Sequence, residues 1–202
     1  MTERDLGTRI QAPIPTTIRA ACALWRQGEV VAIPTETVYG LAADATQDEA
    51  IAKIFAIKGR PQFNPLILHI SSLDQLAEYA EITPLATKAA AAFWPGPLTL
   101  VLKRRAETKL SYLVTAGLDT VAVRLPAHPI AQQLIRSYGK PLAAPSANKS
   151  MSISPTSAAD VGVSLGEEVP LIIDGGSPLV GLESTIIDLT SEIPTILRPG
   201  GV

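Results

Sequence analysis

The sequence predicts an α/β domain built around one twisted, mixed sheet flanked by helices. Three observations carry that prediction. Helix and strand signals alternate along the chain. Several strand signals are short, continuous apolar runs, the pattern of strands covered on both faces. The last strand signals follow one another without intervening helices, so the sheet is expected to be mixed rather than purely parallel.

The elements follow in order. Residues 17–27 read as a helix stopped by Gly28. Residues 30–33 are a short apolar strand. The segment from Pro34 to Gly40 then reads as a β-to-α loop, in which Thr35 and Thr37 alternate and turn their hydroxyls to one side. Thr46 with Glu49 forms a capping-box pattern for a helix whose apolar face is Ile51, Ile54 and Phe55. Residues 66–70 are strand-like. Ser72 with Gln75 opens a helix, and Thr83 before Pro84 opens an alanine-rich one that halts at Trp94-Pro95-Gly96-Pro97. Strands are expected at 98–102 and 121–125, then a helix at 129–138 ending at Gly139. A short strand at 142–144, a helix at 157–165, and strands at 171–173, 185–189 and 195–197 complete the series. All belong to one domain, residues 1–202, with 1–17 as an N-terminal extension and 198–202 as the start of a linker. The closing Pro199-Gly200-Gly201 is expected to be flexible.

A chain of 202 residues buries roughly 70% of its unfolded surface. Aromatics are 4%, so aliphatic side chains must fill the core. The net charge of −2 excludes a strongly basic nucleic-acid footprint, and any anion site must be local. The single cysteine, Cys22, permits no internal disulfide and reads as a small buried hydrophobe in a reducing, cytoplasmic setting. Residues 1–17 hold four charges and two prolines, so no signal peptide is expected, and no apolar run approaches the ~20 residues of a membrane span. The P-loop, G-x-G-x-x-G and G-x-S-x-G patterns are absent from the sequence. The only histidines, His69 and His128, exclude an H-E-x-x-H zinc site.

What remains is polar groups at strand ends. Lys58 and Arg60 flank Gly59 where a helix must end, and they suit either a helix cap or a phosphate clamp. Asn64-Pro65 is a turn signal. His69 sits inside an apolar strand. Arg124 ends another, a costly position unless the guanidinium is paired or faces a cleft. His128 before Pro129 reads as a helix entrance. Ser146 and Asn148 follow a buried strand, where α/β folds often bind ligands. Ser154-Pro155-Thr156 offers a helix N-terminus suited to an anion, and Ser184-Thr185 adds hydroxyls.

Eight segments in order resemble one family, the YrdC-like domain of threonylcarbamoyl-AMP synthases. They begin at Pro34, Lys58, Asn64, Trp94, Val121, Pro145, Ser184 and Arg198 and span residues 34–201. The resemblance implies that L-threonine, bicarbonate and ATP give threonylcarbamoyl-AMP and pyrophosphate, for N6-threonylcarbamoyladenosine in tRNA. It is therefore expected to be a nucleotidyltransferase. The family's Lys-x-Arg and Ser-x-Asn signature falls on Lys58, Arg60, Ser146 and Asn148. By position, Thr37, His69, Arg124, Ser146 and Ser184 resemble the threonine site. Arg60, Asn64, Thr120, Asn148, Thr156 and Arg198 resemble the ATP site. Lys58 resembles a neutraliser of the phosphates or the carbamate, expected with Arg60 at a solvent-facing cleft. Magnesium is expected to arrive with ATP rather than on protein ligands.

The expected partners are small-molecule substrates and a downstream threonylcarbamoyl transferase complex, with no membrane. Two rivals stay open: a non-catalytic module that binds tRNA or double-stranded RNA, and a carbamoyl-adenylate enzyme fed by carbamoyl phosphate. Two departures matter. Ser150 precedes Met151 where the family usually shows Ser-Gly. The motifs also resemble the long, two-domain form, yet the chain stops at Val202.

Overall fold

Side chains alternate across a strand, and in this sheet both faces are apolar, so helices must cover both. The computed structural model describes residues 9–202; residues 1–8 of the expected extension lie outside the described residues. In chain order the elements are β1 (Ile10–Gln11), α1 (Pro15–Arg26), β2 (Val31–Ile33), β3 (Gly40–Asp44), α2 (Asp48–Lys58), β4 (Ile67–His69), α3 (Leu73–Tyr79), α4 (Pro84–Phe93) and β5 (Leu98–Lys103). There follow α5 (Tyr112–Thr115), β6 (Thr120–Arg124), α6 (Pro129–Tyr138), β7 (Leu142–Ala143), α7 (Ala158–Leu165), a 3-10 turn (Gly166–Glu168), β8 (Ile172–Ile173), β9 (Thr185–Asp188) and β10 (Thr195–Arg198).

The ten strands form one sheet in the order β1-β8-β2-β3-β7-β4-β6-β5-β9-β10. Pairs β1–β8, β2–β8, β4–β6 and β5–β9 are parallel, and the others are antiparallel. The expected mixed sheet is therefore present.

Alternation divides the core in two. Val31 and Ile33 of β2 face one side with Ala42 and Leu142, under α1 and α6. There Ile18, Ala21, Cys22 and Trp25 of α1 meet Leu134, Ile135 and Tyr138 of α6. Trp25 and Tyr138 meet edge to face at 5.3 Å. Ala32, Leu41, Ala43, Leu68 and Leu100 face the other side, against Ile51, Ile54 and Phe55 of α2. Each fully buried aliphatic side chain contributes about 1.5–3 kcal/mol. Cys22 is buried as expected, and burial first raises its thiol pKa.

Several helix starts follow their signals. Ser72 accepts from the Gln75 N–H, Thr83 from Ala86, and Ser157 from Asp160. His128 is the helix entrance it was read to be, its Nδ1 accepting from the Ile130 N–H.

Four expectations need correction. Residues 34–39 lead to strand β3, paired antiparallel with β2, and not to a helix. The capping box at Thr46 does not form: its hydroxyl donates to Asp44 at 2.6 Å, and Gln47 is the helix boundary without a side-chain cap. The helix N-terminus read at Ser154-Pro155-Thr156 is displaced: the helix expected at 157–165 begins at Ala158, and Ser157 rather than Thr156 caps it. The Pro-Gly-Gly end is packed. Gly201 N–H donates to Glu183 O at 2.9 Å, and a Cβ on Gly200 would sit 2.3 Å from that same carbonyl, so only glycine fits.

The topology brings six strand termini to one edge of the sheet. Parallel β4 and β6 place His69 beside Arg124. Gly40, at the start of β3, bridges to Ser146. Thr185, at the start of β9, pairs with Leu98 at the start of β5, and β10 ends at Arg198.

Candidate functional site

These termini enclose a cavity of about 150 Å³ lined by Thr35, Thr37, Arg60, His69, Arg124, Ser146, Glu183, Ser184 and Arg198, among others. Pockets for drug-sized ligands run roughly 300–1,000 Å³. The enclosed part therefore suits one small molecule, and anything larger must extend over the rim.

Arg124 is 4% exposed and held on three sides. Its Nε donates to Gly96 O at 3.2 Å and its Nη1 to Thr37 Oγ1 at 2.9 Å. Its Nη2 lies 2.7 Å from Glu36 Oε1, but no N–H points along that line, so the contact is a charge pair without a well-aligned hydrogen bond. Glu36 is buried, and burial raises its pKa. The Arg124 charge and further hydrogen bonds outweigh that, and the pKa is lowered. Glu36 is thus ionised and neutralises Arg124.

Two more arginines reach the cavity. Gly59, at φ 59° and ψ 36°, ends α2 in the left-handed conformation and turns the chain so that Arg60 enters it. Arg60 Nη2 donates to Pro65 O at 2.9 Å, and Arg198 donates twice to Ser184 O. Burial first, and the Arg198 charge second, lower the Arg60 pKa. Both remain cations, and an anion between them would relieve their repulsion. Among the described residues Glu183 is the one acid lining the cavity, its Oε1 accepting from Ser154 at 2.5 Å.

The acceptors have defined polarity. Thr35 donates its proton to Val38 O at 2.6 Å, since a carbonyl only accepts. With that proton placed, the 2.9 Å contact between the Thr35 and Thr37 hydroxyls runs from Thr37 to Thr35, which also receives the Thr37 and Val38 N–H groups at 3.2 and 3.3 Å. Thr37 also accepts from Arg124, so it offers the cavity a lone pair and no proton. Likewise His69 Nδ1 lies 3.1 Å from Ile67 O, which places the proton there and leaves Nε2 an acceptor. Burial, then Arg124, push the His69 pKa down to about 3, so the ring is neutral at ordinary pH.

The structure brings Thr37, Arg60, His69, Arg124, Ser146, Ser184 and Arg198 together at this cavity. It does not bring Lys58, Asn64, Thr120, Asn148 and Thr156 to its lining. Asn64 and Thr156 are exposed. Thr120 pairs with Lys103 at the opposite end of β6 from Arg124, roughly 13 Å away along the strand. Asn148 is buried, and its amide donates to Lys149 O and Ser152 O.

Lys58 departs from its expected exposure. It is 3% exposed, and its ammonium donates to Ser146 O at 2.5 Å and Asn148 O at 2.6 Å. Here it ties the end of α2 to the Ser-Ala-Asn loop, and neither a solvent-facing cleft nor a cap on its own helix describes it. Burial, then the Arg60 charge, pull its pKa down to about 8.

Sequence reasoning missed Glu36 and Glu183. For Glu36 a signal existed: an arginine inside an apolar strand requires an anion. Among the described residues no three His, Cys, Asp or Glu side chains group as a metal site, and no helix is long and apolar enough to cross a membrane.

Comparison with known proteins bears on the fold and the family. The family model Sua5_yciO_yrdC, described as telomere recombination, matches residues 23–200. The threonylcarbamoyl-AMP synthase of Pyrococcus abyssi is 52% identical over 186 residues, covering 92% of this chain and 54% of the relative. The enzyme of that name from Halorhodospira halophila is 41% identical, covering 99% of this chain and 96% of the relative. The crystal structure of P. abyssi Sua5 complexed with L-threonine superposes with a TM-score of 0.89 over 92% of this chain and 54% of that one, at 52% identity. The chain thus spans about half the length of the first curated relatives it matches. With a family model matched over most of its length and relatives at such identity, the chain belongs to the Sua5, YciO and YrdC family.

Proposed function

We propose that this chain is a threonylcarbamoyl-AMP synthase domain, a nucleotidyltransferase acting on L-threonine, bicarbonate and ATP. One observation carries the reading: proton-accepting Thr37 and His69 share a small cavity with three arginines. An amino acid with a hydroxyl has matching parts. Its ammonium and hydroxyl donate, and its carboxylate accepts. The named relatives and the threonine complex of Sua5 support the same substrate.

The chemistry follows. Threonine's ammonium first gives up a proton to solvent, and the free amine, now on an anionic molecule, condenses with bicarbonate, losing water, to form a carbamate. A carbamate oxygen attacks the α-phosphorus of ATP, and pyrophosphate leaves. Every partner is anionic, so the obstacle is like-charge approach. Arg60 and Arg198 offset it with fixed positive charge, and positioning does the rest. Arg124, already neutralised by Glu36, orients a carboxylate more than it attracts one. The triphosphate is too large for the cavity and extends over the rim, toward Asn64 and Thr156. Magnesium accompanies the triphosphate and supplies further charge neutralisation. A hydroxyl partner at His69 Nε2 disfavours alanine, which would leave that lone pair unmet. The product serves tRNA modification through a downstream transferase, in the cytoplasm.

Incubation of the chain with ATP, bicarbonate, magnesium and threonine is expected to release pyrophosphate and to yield the adenylate by mass spectrometry. Equal release without threonine, or with carbamoyl phosphate in its place, would overturn the proposal.

A further inference from the structure

Thr99 interrupts the apolar run of β5. It is fully buried, yet it does not line the cavity. Its hydroxyl has one partner among the described residues, Ser184 Oγ at 2.7 Å. A buried hydroxyl proton without an acceptor is costly, so Thr99 must donate to Ser184. Ser184 Oγ also accepts from Arg198 Nη2 at 3.2 Å. Both its lone pairs are then engaged, and its own proton has no acceptor among the described residues. Ser184 lines the cavity, so that proton is aimed at the ligand.

We infer that Thr99 is a positioning residue that makes Ser184 an obligate hydrogen-bond donor. Ser184 therefore meets an oxygen acceptor of the substrate, a carboxylate or carbamate oxygen, and not its ammonium or hydroxyl. The cavity is thereby polarised. Thr37 and His69 accept beside Arg124, while Ser184 and Arg198 donate from the β9–β10 side. An amino acid fits in one orientation. This inference rests on the proposed function for the identity of the ligand, but its proton arrangement belongs to the free protein.

Two measurements test it. In steady-state pyrophosphate release, Thr99→Val is expected to raise KM for threonine about 5- to 10-fold, the loss of one hydrogen bond's orientation. KM for ATP should stay within about twofold, and Thr99→Ser should restore the wild-type value. In a Ser184→Ala background, Thr99→Val should add nothing, because Thr99 acts only through Ser184. An equal effect in both backgrounds, or a lowered Tm with unchanged KM, would overturn the inference. In the ligand-free protein, proton NMR should show a slowly exchanging Thr99 hydroxyl with an NOE to the Ser184 β-protons. A fast-exchanging hydroxyl would overturn the inference even if the chain proves inactive. Inactivity alongside a protected hydroxyl would refute the functional reading and leave the proton arrangement standing.

Discussion

Two buried carboxylates lie near opposite ends of β3, and they are held differently. Asp44 closes the strand, fully buried, and receives five donors: Thr46 N–H and Oγ1, Gln47 Nε2, Tyr138 OH and Lys140 Nζ. Glu36 lies four residues before the strand begins, is also buried, and depends chiefly on the off-line guanidinium of Arg124, with backbone N–H groups in support. A saturated acid is a structural joint. An under-bonded one marks a place where geometry is set for a ligand rather than for stability alone. The same strand thus carries a fastening at one end and a working site at the other.

The largest effect should come from breaking the fastening. Asp44→Ala strands Tyr138 OH and the other donors and is expected to cost roughly 3–5 kcal/mol in denaturant unfolding. KM for threonine should be unchanged in whatever fraction stays folded. Asp44's pKa is lowered: burial raises it, but the Thr46 and Tyr138 hydrogen bonds and other donors outweigh that. Its stabilisation is therefore full above the ordinary value of 3.8 and lost as pH falls through the lower folded value. In an acid titration, Asp44→Asn should lose that dependence.

Next comes the site end. Arg124→Lys keeps a charge but cannot reach Glu36, Thr37 and Gly96 together. We expect kcat/KM for threonine to drop about 10- to 100-fold, with a smaller loss of unfolding free energy than Asp44→Ala. Equal losses of stability in the two variants would break the comparison.

A third test separates Lys58 from both. Its folded pKa, about 8, lies below the ordinary 10.5. The unfolded chain holds that proton longer as pH rises. Stability relative to a Lys58→Met variant should therefore increase between about pH 8 and 10.5. A flat difference would mean the ammonium is not desolvated.

The smallest effect concerns the loop after Asn148. Met151 sits at φ 70° and is fully exposed, in a conformation that favours glycine. Met151→Gly should raise Tm by about 1–3 °C in a thermal melt.

Local signals were legible where a single side chain decides the outcome. Ser72, Thr83 and Ser157 cap helices because a hydroxyl reaches an N–H three residues on, whatever the rest of the chain does. Signals failed where two residues compete for one partner. Thr46 looked like a cap, but Asp44 held its hydroxyl more strongly. β3 was missed because Gly40, Leu41, Ala42 and Ala43 carry little strand propensity, and pairing with β2 and β7 supplies what propensity does not.

The site divides along the same line. Sequence alone nominated side chains for a ligand site, the cations, hydroxyls and histidine at strand ends, and seven of them line the cavity. Tertiary structure alone decided what each one offers. It turned Lys58 inward onto two carbonyls, gave Arg124 its buried counter-charge in Glu36, and assigned the protons of Thr37 and His69. The physical reason is that a side chain's chemistry is local, whereas its charge balance and proton direction depend on neighbours far along the chain, 88 residues away for Glu36 and Arg124.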